Sequence, residues 1–151
     1  MQPIQIQPIG IIHSCFKEKF ATPRQPGLVT AASAQVELIA PYNLADAVEG
    51  LVEFSHIWLT FAFHQTAQQG WKPKVRPPRL GGNAKLGVFA TRSTFRPNPL
   101  GLSLVKLDSI DTNKGVILHV SGADLIEGTP IIDIKPYLPW VESIPNAKSG
   151  F

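Results

Sequence analysis

Two guanidinium side chains four residues apart, Arg92 and Arg96, lie in the stretch GVFATRSTFRPNPLGLS (Gly87–Ser103) among the hydroxyls of Thr91, Ser93, Thr94 and Ser103. Each arginine offers five N–H donors in a fixed fork that matches a carboxylate or a phosphate. Pro97 and Pro99 restrict the unfolded chain, so holding this loop still costs less conformational entropy. The chemistry on offer is anion binding by a stiffened loop. A surface turn with solvated arginines uses the same residue types, and composition alone does not separate the two readings.

Other residues could take part in a polar site. His64 and Gln65 close the apolar run HIWLTFAF, where a strand end commonly presents ligand groups or bonds its own loop. DLIEGT (Asp124–Thr129) carries two acids and a glycine ahead of a strand. Asp133, Lys135 and Tyr137 alternate and should share one face, suited to a polar ligand or simply to water. The segment TPRQPG (Thr22–Gly27) repeats the proline, arginine and glycine chemistry of the main stretch.

Charge adds a partner class. The net charge of +3 is small, but no acidic residue occurs between Glu53 and Asp108. That window holds Lys72, Lys74, Arg76, Arg79, Lys85, Arg92, Arg96 and Lys106, with His56 and His64. Buried strands are poor in acids anyway, yet eight basic residues do not fit a buried window, and a surface facing a polyanion such as nucleic acid is favoured.

Several classes recede. The four histidines are not at metal-ligand spacing, and those in strand-like runs read as packed rings with one hydrogen bond. No nucleophile elbow is present, and Gly81-Gly82 lacks the residues of a phosphate loop or dinucleotide fingerprint. The single cysteine, Cys15, reads as a small apolar filler and leaves no internal disulfide. No apolar run reaches the roughly 20 residues of a membrane span. With no signal segment visible, the expectation is a cytoplasmic protein.

The elements that must position these residues are strands. Ile4–Ser14 alternates before turning apolar, with Pro8 and Gly10 as an irregularity. Gln35–Ile39 alternates as a half-buried strand. His56–Phe63 is aromatic and β-branched throughout, predicting a central strand buried on both faces. Val88–Thr91 reads as the strand that opens the main stretch. Trp71–Val75 reads as an edge, and Leu102–Leu107, Val116–Ser121 and Ile131–Lys135 as further strands, with a hairpin at Asn113–Gly115. The one helix signal is Asn43–Gly50, with Asn43 as N-cap. Fourteen prolines oppose a helical protein. The expected class is all-β: a small antiparallel β-barrel with one short helix and long Pro/Gly-rich loops, since closure removes exposed edges.

The motifs together resemble one family. GVFATRSTFRPNPLGLS, PRQPG (Pro23–Gly27), FSHIW (Phe54–Trp58), FHQ (Phe63–Gln65), RPPRLGGN (Arg76–Asn83) and EGTPIIDIKPYLPW (Glu127–Trp140) are similar to the signatures of the TsaA-like (TrmO) S-adenosylmethionine-dependent tRNA methyltransferases. The resemblance runs from about Ile4 to Trp140. It implies a β-barrel methyltransferase domain over residues 1–140, with 141–151 a tail leading toward the C-terminal domain that bacterial relatives carry. It implies a homodimer with the cofactor beside the interface, and methylation of the exocyclic nitrogen of N6-threonylcarbamoyladenosine next to the anticodon. The family's cofactor contacts fall here on Gln25, Pro26, Gly27, His64, Gln65, Arg92, Leu102, Asp124, Gly128 and Thr129. Lys74, Arg76, Arg79 and Arg96 would then hold phosphates of the tRNA anticodon arm. A non-catalytic RNA-binding barrel and a small-molecule methyltransferase are the alternatives. Catalytic groups stay unassigned.

Overall fold

The computed structural model describes residues 1–15, 32–64, 67–76 and 84–150. Six strands close into a barrel: β1 (Gly10–His13), β2 (Ser33–Leu38), β3 (His56–Ala62), β6 (Leu100–Asp111), β7 (Ile117–Ser121) and β8 (Pro130–Pro136), in the order β1-β2-β7-β6-β3-β8. β1 also pairs with β8, Gly10 opposite Ile131, which completes the ring. β1–β2, β1–β8, β2–β7, β3–β8 and β6–β7 pair antiparallel. β4 (Lys74–Val75) and β5 (Leu86–Gly87) form a separate two-stranded sheet. The all-β barrel expected from the alternation is present.

Period-two patterning explains why these segments are strands. β2 buries Ala34, Val36 and Leu38 and exposes Ser33, Gln35 and Glu37. β3 buries Ile57, Leu59 and Phe61, while Trp58, Thr60 and Ala62 are half-buried. The barrel wall therefore has one dry face, and the expectation that β3 is buried on both sides is corrected. Ile12, Val36, Leu59, Leu118, Val120 and Ile131 are fully buried and fill the interior. Burying each such side chain contributes about 1.5–3 kcal/mol.

β1 is shorter than the alternating run suggested. Pro3 and Pro8 lack the N–H a ladder needs, so regular pairing begins only at Gly10. Ile9 N–H still donates to Ile131 O at 2.8 Å. Gly10 is required by proximity: a Cβ there would lie 2.6 Å from the Glu37 carbonyl oxygen. A bulge between Leu107 and Ser109 leaves Asp108 out of the β6–β7 ladder, where it accepts a hydrogen bond from Ser121 Oγ at 3.3 Å. The expected β6–β7 hairpin turns at Gly115, whose φ is 79°.

The helix reading is also corrected. Residues 43–50 form only a 3-10 turn, Ala45–Val48, with Leu44 rather than Asn43 at its N-cap and no side-chain cap bond. Gly50, at φ 86°, ends it, and a second 3-10 turn follows at Leu51–Glu53. Between Pro41 and Gly50 there is too little chain to repay α-helix nucleation. Among the described residues the only α-helix is the single turn α1 (Pro139–Glu142), with Pro139 in its first turn. No helix is long and apolar enough to cross a membrane.

The chain divides into two compact units. One comprises Met1–Ala62 and Leu102–Tyr137; the other comprises Phe63–Gly101 and Leu138–Phe151.

Candidate functional site

In the first unit the residues of interest gather on the loop from Gly122 to Thr129, between β7 and β8. Gly122 and Gly128, with φ of 79° and 84°, let the chain bend at either end. Gly122 N–H donates to Ala32 O and Gly128 N–H to Ile12 O, each at 2.9 Å. Ala123, Leu125 and Thr129 are buried and pin the loop from below. Thr129 Oγ1 donates to Ile126 O at 2.6 Å, so its hydroxyl shapes the loop. Asp124 is half-buried and accepts a hydrogen bond from the buried Ser103 Oγ at 3.0 Å. That bond orients the carboxylate. Leu102 is 48% exposed and, being next to the buried Ser103 on β6, points to the opposite face of the strand.

The same loop is fastened by a histidine that sequence reasoning passed over. His13 Nε2 lies 2.9 Å from Glu37 Oε1, and His13 Nδ1 lies 3.1 Å from Glu127 Oε2. Ser14 N–H donates to Glu127 Oε1 at 2.8 Å and Ser14 Oγ to Leu125 O at 2.6 Å. The His13 pKa is raised, chiefly by the hydrogen bond with Glu37 and then by that with Glu127, against a smaller opposing effect of burial. Glu127, one of the two acids of DLIEGT, is therefore engaged within the protein. Cys15 is exposed, not an apolar filler, and lines a cavity of about 310 Å³ with His13, Ser33, Gln35 and His119.

In the second unit the stretch Gly87–Gly101 is held by its own side chains. Val88–Ala90 is a 3-10 turn instead of the expected strand. Thr91 Oγ1 donates to Val88 O at 2.8 Å and accepts from Ser93 N–H at 3.2 Å, while Ser93 Oγ accepts from Phe95 N–H at 3.1 Å. These hydroxyls draw the backbone out of the strand conformation. Arg96 is half-buried, and its Nη1 donates to Thr91 O at 2.9 Å, Ser93 O at 3.1 Å and, more weakly, Val88 O at 3.5 Å. The sequence placed Arg96 on phosphate; the structure turns this guanidinium nitrogen inward as a clamp.

Arg92 is different. It is exposed and, among the described residues, has no hydrogen-bond or ion-pair partner. His64 is exposed at the turn after β3, and Lys74 and Arg76 are exposed on and after β4. Gln25, Pro26, Gly27, Gln65 and Arg79 lie outside the described residues. On β8, Asp133 and Lys135 make an exposed ion pair of 3.4 Å, and Tyr137 meets Trp58 and His56 edge-on. That row belongs to the sheet surface.

The second unit presents an exposed guanidinium, and the first a carboxylate oriented beside β6. The tRNA-methyltransferase O N-terminal domain family model matches residues 11–143. The chain belongs to this family. It is 60% identical over 152 residues to a tRNA (adenine(37)-N6)-methyltransferase of Escherichia coli K12, covering 100% of this chain and 65% of that protein. It is 56% identical over 145 residues to a putative S-adenosylmethionine-dependent methyltransferase of Pseudomonas aeruginosa, covering 96% of this chain and 59% of that protein. A crystal structure of TrmO from Pseudomonas aeruginosa superposes with a TM-score of 0.80 at 43% identity, covering 99% of this chain and 62% of that one. The chain spans about 60–65% of the length of these relatives.

Proposed function

We propose that this chain is the methyl-donor-binding and catalytic part of an S-adenosylmethionine-dependent tRNA methyltransferase. Its substrate is N6-threonylcarbamoyladenosine beside the anticodon, methylated on the exocyclic nitrogen. The observation that carries the reading is the 60% identity, sustained over the whole chain, to the Escherichia coli tRNA (adenine(37)-N6)-methyltransferase.

The residues fit the methyl donor in kind. S-adenosylmethionine supplies a sulfonium methyl, together with a carboxylate, an ammonium, ribose hydroxyls and an adenine. Arg92 offers a fork for the carboxylate. Asp124, oriented by Ser103, accepts from an ammonium or hydroxyl, and exposed Leu102 offers apolar surface for adenine. Gly128 and Thr129 set the course of the Asp124 loop, and the family likeness assigns His64, Gln65 and Gln25–Gly27 to the same ligand. The protein's contribution to rate is alignment: both loops are fixed by internal hydrogen bonds, so little reorganisation is needed when reactants bind. Lys74, Arg76 and Arg79 hold tRNA phosphates. The protein works in the cytoplasm and as a homodimer, the dimer being supported by the exposed apolar Trp140, Val141 and Ile144.

The test is methyl transfer to tRNA with and without the threonylcarbamoyl group. Turnover confined to the modified tRNA supports the assignment. Equal methylation of both refutes the substrate, and RNA binding without turnover on either favours a non-catalytic RNA-binding barrel.

A further inference from the structure

Phe89 is an anomaly of the second unit. It is 76% exposed, yet it stands on a turn that is firmly held. Val88 N–H donates to Pro73 O at 2.9 Å, which lays the Val88–Ala90 turn against the Trp71–Pro73 segment. Thr91 closes the turn through two bonds to Val88 O, from its N–H at 3.2 Å and its Oγ1 at 2.8 Å, and Arg96 reaches Val88 O and Thr91 O. Trp71, on the facing segment, is 55% exposed. A solvent-facing aromatic ring on a held turn forfeits the burial that normally justifies a phenylalanine.

The surroundings are cationic. Residues 63–101 contain seven basic side chains and no acid. Lys72, Lys74, Lys85 and Arg92 are exposed, and Lys74 pairs with Gly87, two residues from Phe89. An apolar protein partner does not call for such a field, whereas a nucleic acid strand does. Single strands bind where aromatic faces stack on bases and cations track the backbone.

We infer that Phe89, on the turn that faces the exposed Trp71–Pro73 segment, is a stacking platform for an unpaired RNA base, with Lys72, Lys74 and Lys85 supplying backbone attraction. This rests on the tRNA reading above and extends it to a residue that recognises an unpaired loop rather than a duplex. Neither the cofactor residues nor the phosphate contacts require an exposed ring at 89.

Fluorescence anisotropy with an RNA anticodon hairpin and with a fully paired duplex of the same strand tests it in the 151-residue chain. Phe89→Ala and Phe89→Leu are expected to weaken hairpin binding about tenfold, Phe89→Tyr less than about twofold, and none to alter duplex binding. A 2-aminopurine in the loop should be quenched by the wild type and by Phe89→Tyr but not by Phe89→Ala. Hairpin binding unchanged in all three variants overturns the platform and leaves the methyltransferase reading standing. Full binding by Phe89→Leu, or a dimer that sedimentation shows dissociating in Phe89→Ala, makes the ring a protein contact and overturns it too. If the wild type binds neither RNA, both readings fail.

Discussion

Raising the pH through the His13 titration should loosen the fastening of the Asp124 loop. With both ring nitrogens protonated, His13 donates to Glu37 and Glu127 at 2.9 and 3.1 Å; a neutral ring has one N–H and must leave one carboxylate facing a bare nitrogen. The folded pKa is raised above 6.5, so this stabilisation is complete below the unfolded value and disappears as pH rises through the folded one. The pairs are well solvated, His13 being 43% exposed against 51% for Glu37 and 30% for Glu127. Exposed pairs contribute about 0.2–1 kcal/mol each, so the two together are worth about 1 kcal/mol. In a domain of this size that corresponds to about 2–4 °C in Tm. Thermal melts of wild type and His13→Gln should differ by about that much at pH 5.5, and the gap should shrink by pH 8.5 and in high salt. A gap independent of pH, or a His13 resonance titrating below 6.5 in NMR, would refute the reasoning.

Arg96→Ala should lower stability by about 2 kcal/mol, since Thr91 O and Ser93 O lose their charged donor while Val88 O keeps its bonds from Thr91, and Arg96→Lys should recover less than half; a melt within about 1 °C of wild type would contradict the clamp. Gly10→Ala forces a methyl to 2.6 Å from Glu37 O, and the β1–β2 backbone must part at a cost of about 1–3 kcal/mol, read by denaturant titration. Lys74→Glu and Arg76→Glu should weaken tRNA binding across sequences and each reduce the salt slope by about one. An unaltered slope would remove these side chains from the phosphate set.

The barrel was legible because β2, β3 and β7 alternate in residues that a half-dry wall selects, and because the hairpin at Gly115 carries turn chemistry. Short elements were not: Val88–Ala90 has strand propensity, but hydroxyls at Thr91 and Ser93 bend it into a turn. Residue types nominated Arg92 and Arg96 alike, and only the fold shows that one guanidinium faces water while the other holds carbonyls. His13 was invisible as a fastener because its partners lie 24 and 114 residues away. Spacing in a sequence carries no signal over such separations.

The proposed function gives the methyl donor's carboxylate to Arg92 and its ammonium or a hydroxyl to Asp124. Isothermal titration with S-adenosylmethionine tests it most directly. The account predicts a saturable heat in the wild type, abolished in Arg92→Ala and weakened about tenfold or more in Asp124→Asn, with melts showing each variant folded. Absence of binding by the wild type, or affinity unchanged in Arg92→Ala, would contradict it.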